Sequence, residues 1–192
     1  MLIPHIPVFL NVYLKLMNEI DLDELVSGLT LIVRYFNKDI LLYSRELFEE
    51  LYKAFVKFTI FLDSTETQEE TETNIAPRGI FKTMDKLLEI SANTDVHPYL
   101  ENQAFGVIKW GLTHNNWETQ DDIFEIMLTL VKYPDKISSG VWDFYKPLLE
   151  TVLGDENEVL NFNKEFPNLT YEGFGYESLL EISKIVVPMI MK

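Results

Sequence analysis

Apolar residues recur at three- and four-residue spacing through almost all of this 192-residue chain, and the pattern restarts in pairs. From Asp21 onward, Leu22, Leu25, Val26, Leu29, Ile32, Val33 and Phe36 form the stripe of a helix with one buried face. Asp21 followed by Glu24 resembles a capping box at its start, and the spacing predicts an end near Asn37. A second helix is expected over 39–61, with Leu41, Ser44, Leu47, Phe48, Leu51, Phe55 and Phe58 along one side. Only two or three residues separate the two, so they are expected to be antiparallel neighbours, an αα-hairpin.

The unit repeats. Pro77 suits the first turn of a third helix over 77–91, and a fourth is expected over 98–114. Segments 119–133 and 139–153 form another pair, with Pro134 as a stop, Ser138 as a cap and Pro147 bending the second member. The predicted hairpins are therefore 21–62, 77–115 and 118–153, with a polar insertion at 63–76. Without that insertion their spacing is about 40 residues, the range of HEAT and armadillo repeats. Helices over 7–18 and 174–191 read as partial repeats at either end of a segment belonging to something longer. Segment 155–175, with Pro167, Gly173 and Gly175, reads as an irregular loop. No stretch alternates strictly enough to predict a strand. The expected fold is all-α, an α-solenoid of stacked antiparallel helix pairs.

Composition narrows the function classes. With 47% hydrophobic and 13% aromatic residues the chain has ample core-forming material. Its net charge of −15 repels phosphate backbones, which excludes nucleic acid as an expected partner and favours basic protein surfaces. There is no Cys, hence no disulfide framework or zinc-thiolate site, and a reducing intracellular home is expected. The opening MLIPHIPVFL is too short to span a bilayer, is broken by Pro4 and Pro7, and lacks a cationic leader. Neither membrane insertion nor a signal peptide is expected.

The run DLDELVSGLTLIVRYFNKDILLYSRELFEELYKAF at 21–55, the acidic DSTETQEETETN and GIFKTMDKLLEI at 79–90 resemble consecutive repeats of importin-β family nuclear transport receptors. The likeness is strongest to the importin seven and eight branch of Ran-binding import receptors. DDIFEIMLTLV at 121–131, VWDFYKPLLETV at 141–152 and FGYESLLEI at 174–182 continue it in the same order. The resemblance implies a cargo-binding solenoid segment that shuttles between nucleus and cytoplasm and meets Phe-Gly repeats of nucleoporins. It places Ran GTPase recognition on amino-terminal repeats that nothing in this chain resembles.

Asp63, Glu66, Glu69, Glu70 and Glu72 crowd the insertion, with no basic residue between Lys57 and Arg78. Such density reads as a solvated linker or, on the resemblance, as a loop that attracts basic cargo or stands in for one. Trp117, beside Asn115 and Asn116 in an expected turn, is a candidate exposed contact, whereas Trp142, near Phe144 and Tyr145, is expected in the core. His5, His97 and His114 lack metal-ligand spacing. The pairs Asp21/Asp23 and Asp121/Asp122 are explained by helix dipoles near helix starts. No phosphate loop, nucleophile elbow or Ser-His-Asp grammar is present, so no enzyme, cofactor or metal is implied. A HEAT scaffold of a non-transport assembly shares the same periodicity and remains the alternative.

Overall fold

The computed structural model describes residues 5–19, 23–64, 77–114, 117–145, 181–186 and 188. The named elements run in the order α1 (Ile6–Glu19), α2 (Asp23–Ile40), a 3-10 turn (Leu41–Tyr43), α3 (Ser44–Ser64), α4 (Pro77–Ser91), α5 (His97–His114) and α6 (Trp117–Lys132). Further helix is present over 139–145 and 181–186, and no strand occurs among the described residues. The all-α expectation is met. Contacts divide the chain into two units, Met1–Ala104 and Phe105–Lys192.

In the first unit α4 packs against both α2 and α3. Its face presents Ile80, Phe81, Met84, Leu87 and Leu88, all buried, as are Leu29, Val33 and Ile40 of α2 and Leu47, Phe48, Leu51, Phe55 and Phe58 of α3. Each such side chain contributes about 1.5–3 kcal/mol by leaving water. The Phe55 and Phe81 rings meet edge-on at 5.9 Å, joining α3 to α4. Thr30 and Thr83 Oγ atoms, on α2 and α4, lie 2.5 Å apart. The Thr83 hydroxyl also donates to the Gly79 carbonyl at 2.8 Å. Where α1 approaches α2, a Cβ at position 28 would lie 2.5 Å from the Tyr13 hydroxyl, and Gly28 makes that closeness possible. Burial pushes the Tyr13 hydroxyl above its usual pKa, partly offset by a hydrogen bond from the Leu29 backbone.

In the second unit Val107 and Ile108 of α5 and Ile123, Phe124, Ile126, Met127, Leu130 and Val131 of α6 are buried. At position 111 a Cβ would sit 2.8 Å from Ile123, so glycine sets how closely α5 and α6 approach. Phe105 stacks on Phe144 at 5.3 Å, and the Tyr145 hydroxyl meets the Ser183 hydroxyl at 3.2 Å.

Boundaries differ from expectation in instructive places. Helical geometry breaks at Asn37 (φ 30°, ψ −99°), as the expected end of α2 implied, because Asn tolerates positive φ. The helix nevertheless resumes to Ile40, whose side chain is fully buried, and the 3-10 turn delays α3 to Ser44 rather than residue 39. Ser44 donates from Oγ to the Leu41 carbonyl at 2.7 Å across that turn. At its other end α3 runs three residues past 61, so Asp63 belongs to the helix and not to the insertion. Pro77–Ser91 forms with the expected bounds, and α6 stops two residues before Pro134. Asp121 and Asp122 lie a full turn inside α6 and Asp122 is buried, so the dipole of the first turn does not account for them. Trp142 is half-buried, edge-on to Tyr145. The bend at Pro147, the capping box at Asp21, segment 155–175 and most of 174–191 lie outside the described residues.

Replacing Phe81 by Ala is expected to lower stability by about 3–5 kcal/mol, because the ring is 1% exposed and holds α4 to α3. Replacing Tyr35, 83% exposed, by Ala should change it by no more than about 0.5 kcal/mol. Denaturant midpoints of the two variants check the contrast.

Candidate interaction surface

The ends of α3 and α4 carry the acidic insertion. Their packing through Phe55, Phe58, Ile80 and Phe81 settles where the chain leaves at Ser64 and returns at Pro77. Asp63 stands in the last turn of α3. Glu66, Glu69, Glu70 and Glu72 lie outside the described residues. Trp117 is the first residue of α6, not a turn residue. Asp63 belongs to the first unit and Trp117 to the second.

Two features of the first unit were not legible beforehand. One is a polar cluster between α3 and α5. The Tyr99 hydroxyl donates to Glu49 Oε1 at 2.6 Å, Gln103 Nε2 donates to the Tyr99 hydroxyl at 2.9 Å, and Arg45 Nε donates to the same Glu49 oxygen at 3.3 Å. The Arg45 guanidinium also covers the Tyr99 ring at 4.1 Å. The bond from Tyr99, more than the guanidinium, holds the Glu49 carboxyl below its usual pKa. Next to it Lys53 pairs with Glu50 at 2.6 Å, so this face presents compensated charge.

The other feature is apolar exposure. Ile6 and Leu10 of α1 are buried, whereas Val8, Phe9 and Val12 are exposed on the same helix, as are Leu31 and Tyr35 of α2. The signal was present in IPVFLNVYLKLM, which is apolar on more than one face. No described helix is long and apolar enough to cross a membrane. No group of three or more metal-ligating side chains occurs among the described residues.

Two curated proteins are similar to this chain over long stretches. An "Importin beta-like SAD2 homolog" of Arabidopsis thaliana is 24% identical over 176 residues, covering 91% of this chain. A "Probable importin-7 homolog" of Dictyostelium discoideum is 24% identical over 149 residues, 76% of this chain. The match spans only 16% and 14% of those proteins, so the chain corresponds to about one-sixth of the length of either. No family model matches, and no solved structure matches. The likeness is thus to importin-β-like proteins in general.

At pH 7, Tyr99→Phe should cost about 0.5–1.5 kcal/mol, the worth of one part-buried hydrogen bond. Since the folded-state pKa of Glu49 is lowered, its contribution is present above the ordinary carboxyl range of about 4 and is lost as pH falls through the lowered value. The gap between wild type and variant should therefore narrow below about pH 4. Thermal melts at stepped pH would show it, and a pH-independent gap would argue against the Tyr99–Glu49 bond as its source.

Proposed function

We propose that this chain is a segment of an importin-β-like nuclear transport receptor of the importin seven and eight type, and that its helix pairs hold basic protein cargo. The observation that carries the reading is a likeness to an importin β-like protein along 91% of a chain whose described residues are mostly helical. The net charge of −15 supports the choice of a basic cargo. The exposed Val8, Phe9 and Val12 support a place within a longer array of stacked pairs, each covering the next. On this reading the chain needs no cofactor and performs no catalysis.

The acidic segment carries the cargo-facing part of the proposal. Asp63, Glu66, Glu69, Glu70 and Glu72 attract basic surfaces, or occupy the cargo site when it is empty, and Trp117 supplies an aromatic contact elsewhere. Phe-Gly repeats of nucleoporins bind grooves of the same receptor, Ran GTPase acts on repeats outside this segment, and the whole receptor shuttles between cytoplasm and nucleus. A pull-down on immobilised Phe-Gly repeats and on a basic cargo separates this reading from a HEAT scaffold, because only a receptor retains both.

Changing the five acids to Ser should leave the melting temperature nearly unchanged, since exposed charges are worth about 0–1 kcal/mol. Affinity for a basic protein should fall at low salt, and the difference should vanish near 1 M salt, where the screening length is about 3 Å. Unaltered low-salt affinity in a titration would reduce the segment to a linker.

A further inference from the structure

The turn between α4 and α5 encloses an imidazole that cargo binding does not use. His97 opens α5, is 7% exposed, and its Nε2 has no hydrogen-bond partner. Its Nδ1 lies 3.1 Å from Oγ of Ser91, a fully buried residue at the end of α4. Ser91 gives its one hydroxyl proton to the Leu88 carbonyl at 3.1 Å, leaving only lone pairs to offer the ring. The Leu88 carbonyl is itself an acceptor for the ring. With the Ser91 proton on Leu88, Nδ1 carries the proton of the neutral imidazole and Nε2 is a buried bare lone pair.

The turn closes around this pair. The His97 amide donates to the Thr94 carbonyl at 3.1 Å, and the Thr94 amide and hydroxyl both donate to the Ser91 carbonyl, at 3.0 and 2.6 Å. Asn93 supplies the left-handed residue with φ 63°. A second proton on the ring would place an N–H at Nε2 with no acceptor and a charge where water is excluded. Glu101, one turn along α5 and 8% exposed, opposes that cost and is the charged group whose field acts on the ring; α4 faces it with the neutral Ser91 hydroxyl and Leu88 carbonyl.

We infer that His97 makes the α4–α5 turn a proton-sensitive joint: the neutral ring pins the turn through Ser91, and protonation releases it while α2, α3 and α4 stay packed. Burial outweighs Glu101 and pushes the His97 pKa below the usual imidazole value. The opened turn therefore binds a proton more readily than the closed one. Protection of the turn is complete above about pH 6.5 and declines as pH falls from there through the lowered folded value.

Two measurements on the whole chain test the joint. Ring-nitrogen NMR at neutral pH should show His97 protonated at Nδ1, with exposed His5 as an internal reference; protonation at Nε2 would overturn the proposal. Amide exchange, corrected for intrinsic rates, should show protection at Thr94, His97, Tyr99 and Leu100 falling by up to tenfold per pH unit between about pH 6.5 and 5, with Phe81 and Leu87 unaffected. In His97→Gln, which cannot titrate, the turn should lose that slope. Parallel loss of turn and core in wild type, or a wild-type slope in the variant, refutes it. If the variant does not fold, the tautomer and the turn-versus-core comparison decide on wild type alone.

Discussion

In the first unit everything rests on α4, whose apolar face is covered by α2 on one side and α3 on the other. A single helix of 15 residues is marginal in water. It persists here because Ile80, Phe81, Met84, Leu87 and Leu88 leave solvent together, and because Thr83 satisfies its hydroxyl within that face. The bonds around this core have a different role. Thr30–Thr83 and Tyr99–Glu49 each add only about 0.5–1.5 kcal/mol, yet they fix how one helix lies along another, which apolar contact alone leaves loose.

Function in a repeat protein of this kind is spread over surface, and the structure distinguishes three surfaces by charge and polarity. Paired ions on α3, exposed apolar side chains on α1 and α2, and the two helix ends that carry the acidic insertion have different chemistry. The net charge of −15 acts over distance, since steering works through the summed field and not through contacts. Compensated pairs such as Lys53–Glu50 contribute little to that field.

Much of the fold was legible because its signal is local. The stripe Leu47, Phe48, Leu51, Phe55, Phe58 was readable from spacing and is buried throughout, and Pro77 and Pro134 punctuate helices by removing a donor and fixing φ. Boundaries were less legible. Nothing in the residues around Ile40 indicates that its burial would carry helix past Asn37. The candidate site was readable only as composition: density of charge identifies the insertion, but the helical state of Asp63 does not follow from it.

The sequence by itself determined that this chain is helical, because a 3.6-residue period of apolar side chains can be buried only by a helix against neighbours. Only the tertiary structure decided which distant groups meet. Tyr99 and Glu49 stand 50 positions apart, yet the Tyr99 hydroxyl donates to the Glu49 carboxylate at 2.6 Å, and Ser91 orients the ring of His97 so that one nitrogen is bare. Ionisation and tautomer depend on such distances and on exclusion of water, which periodicity does not encode.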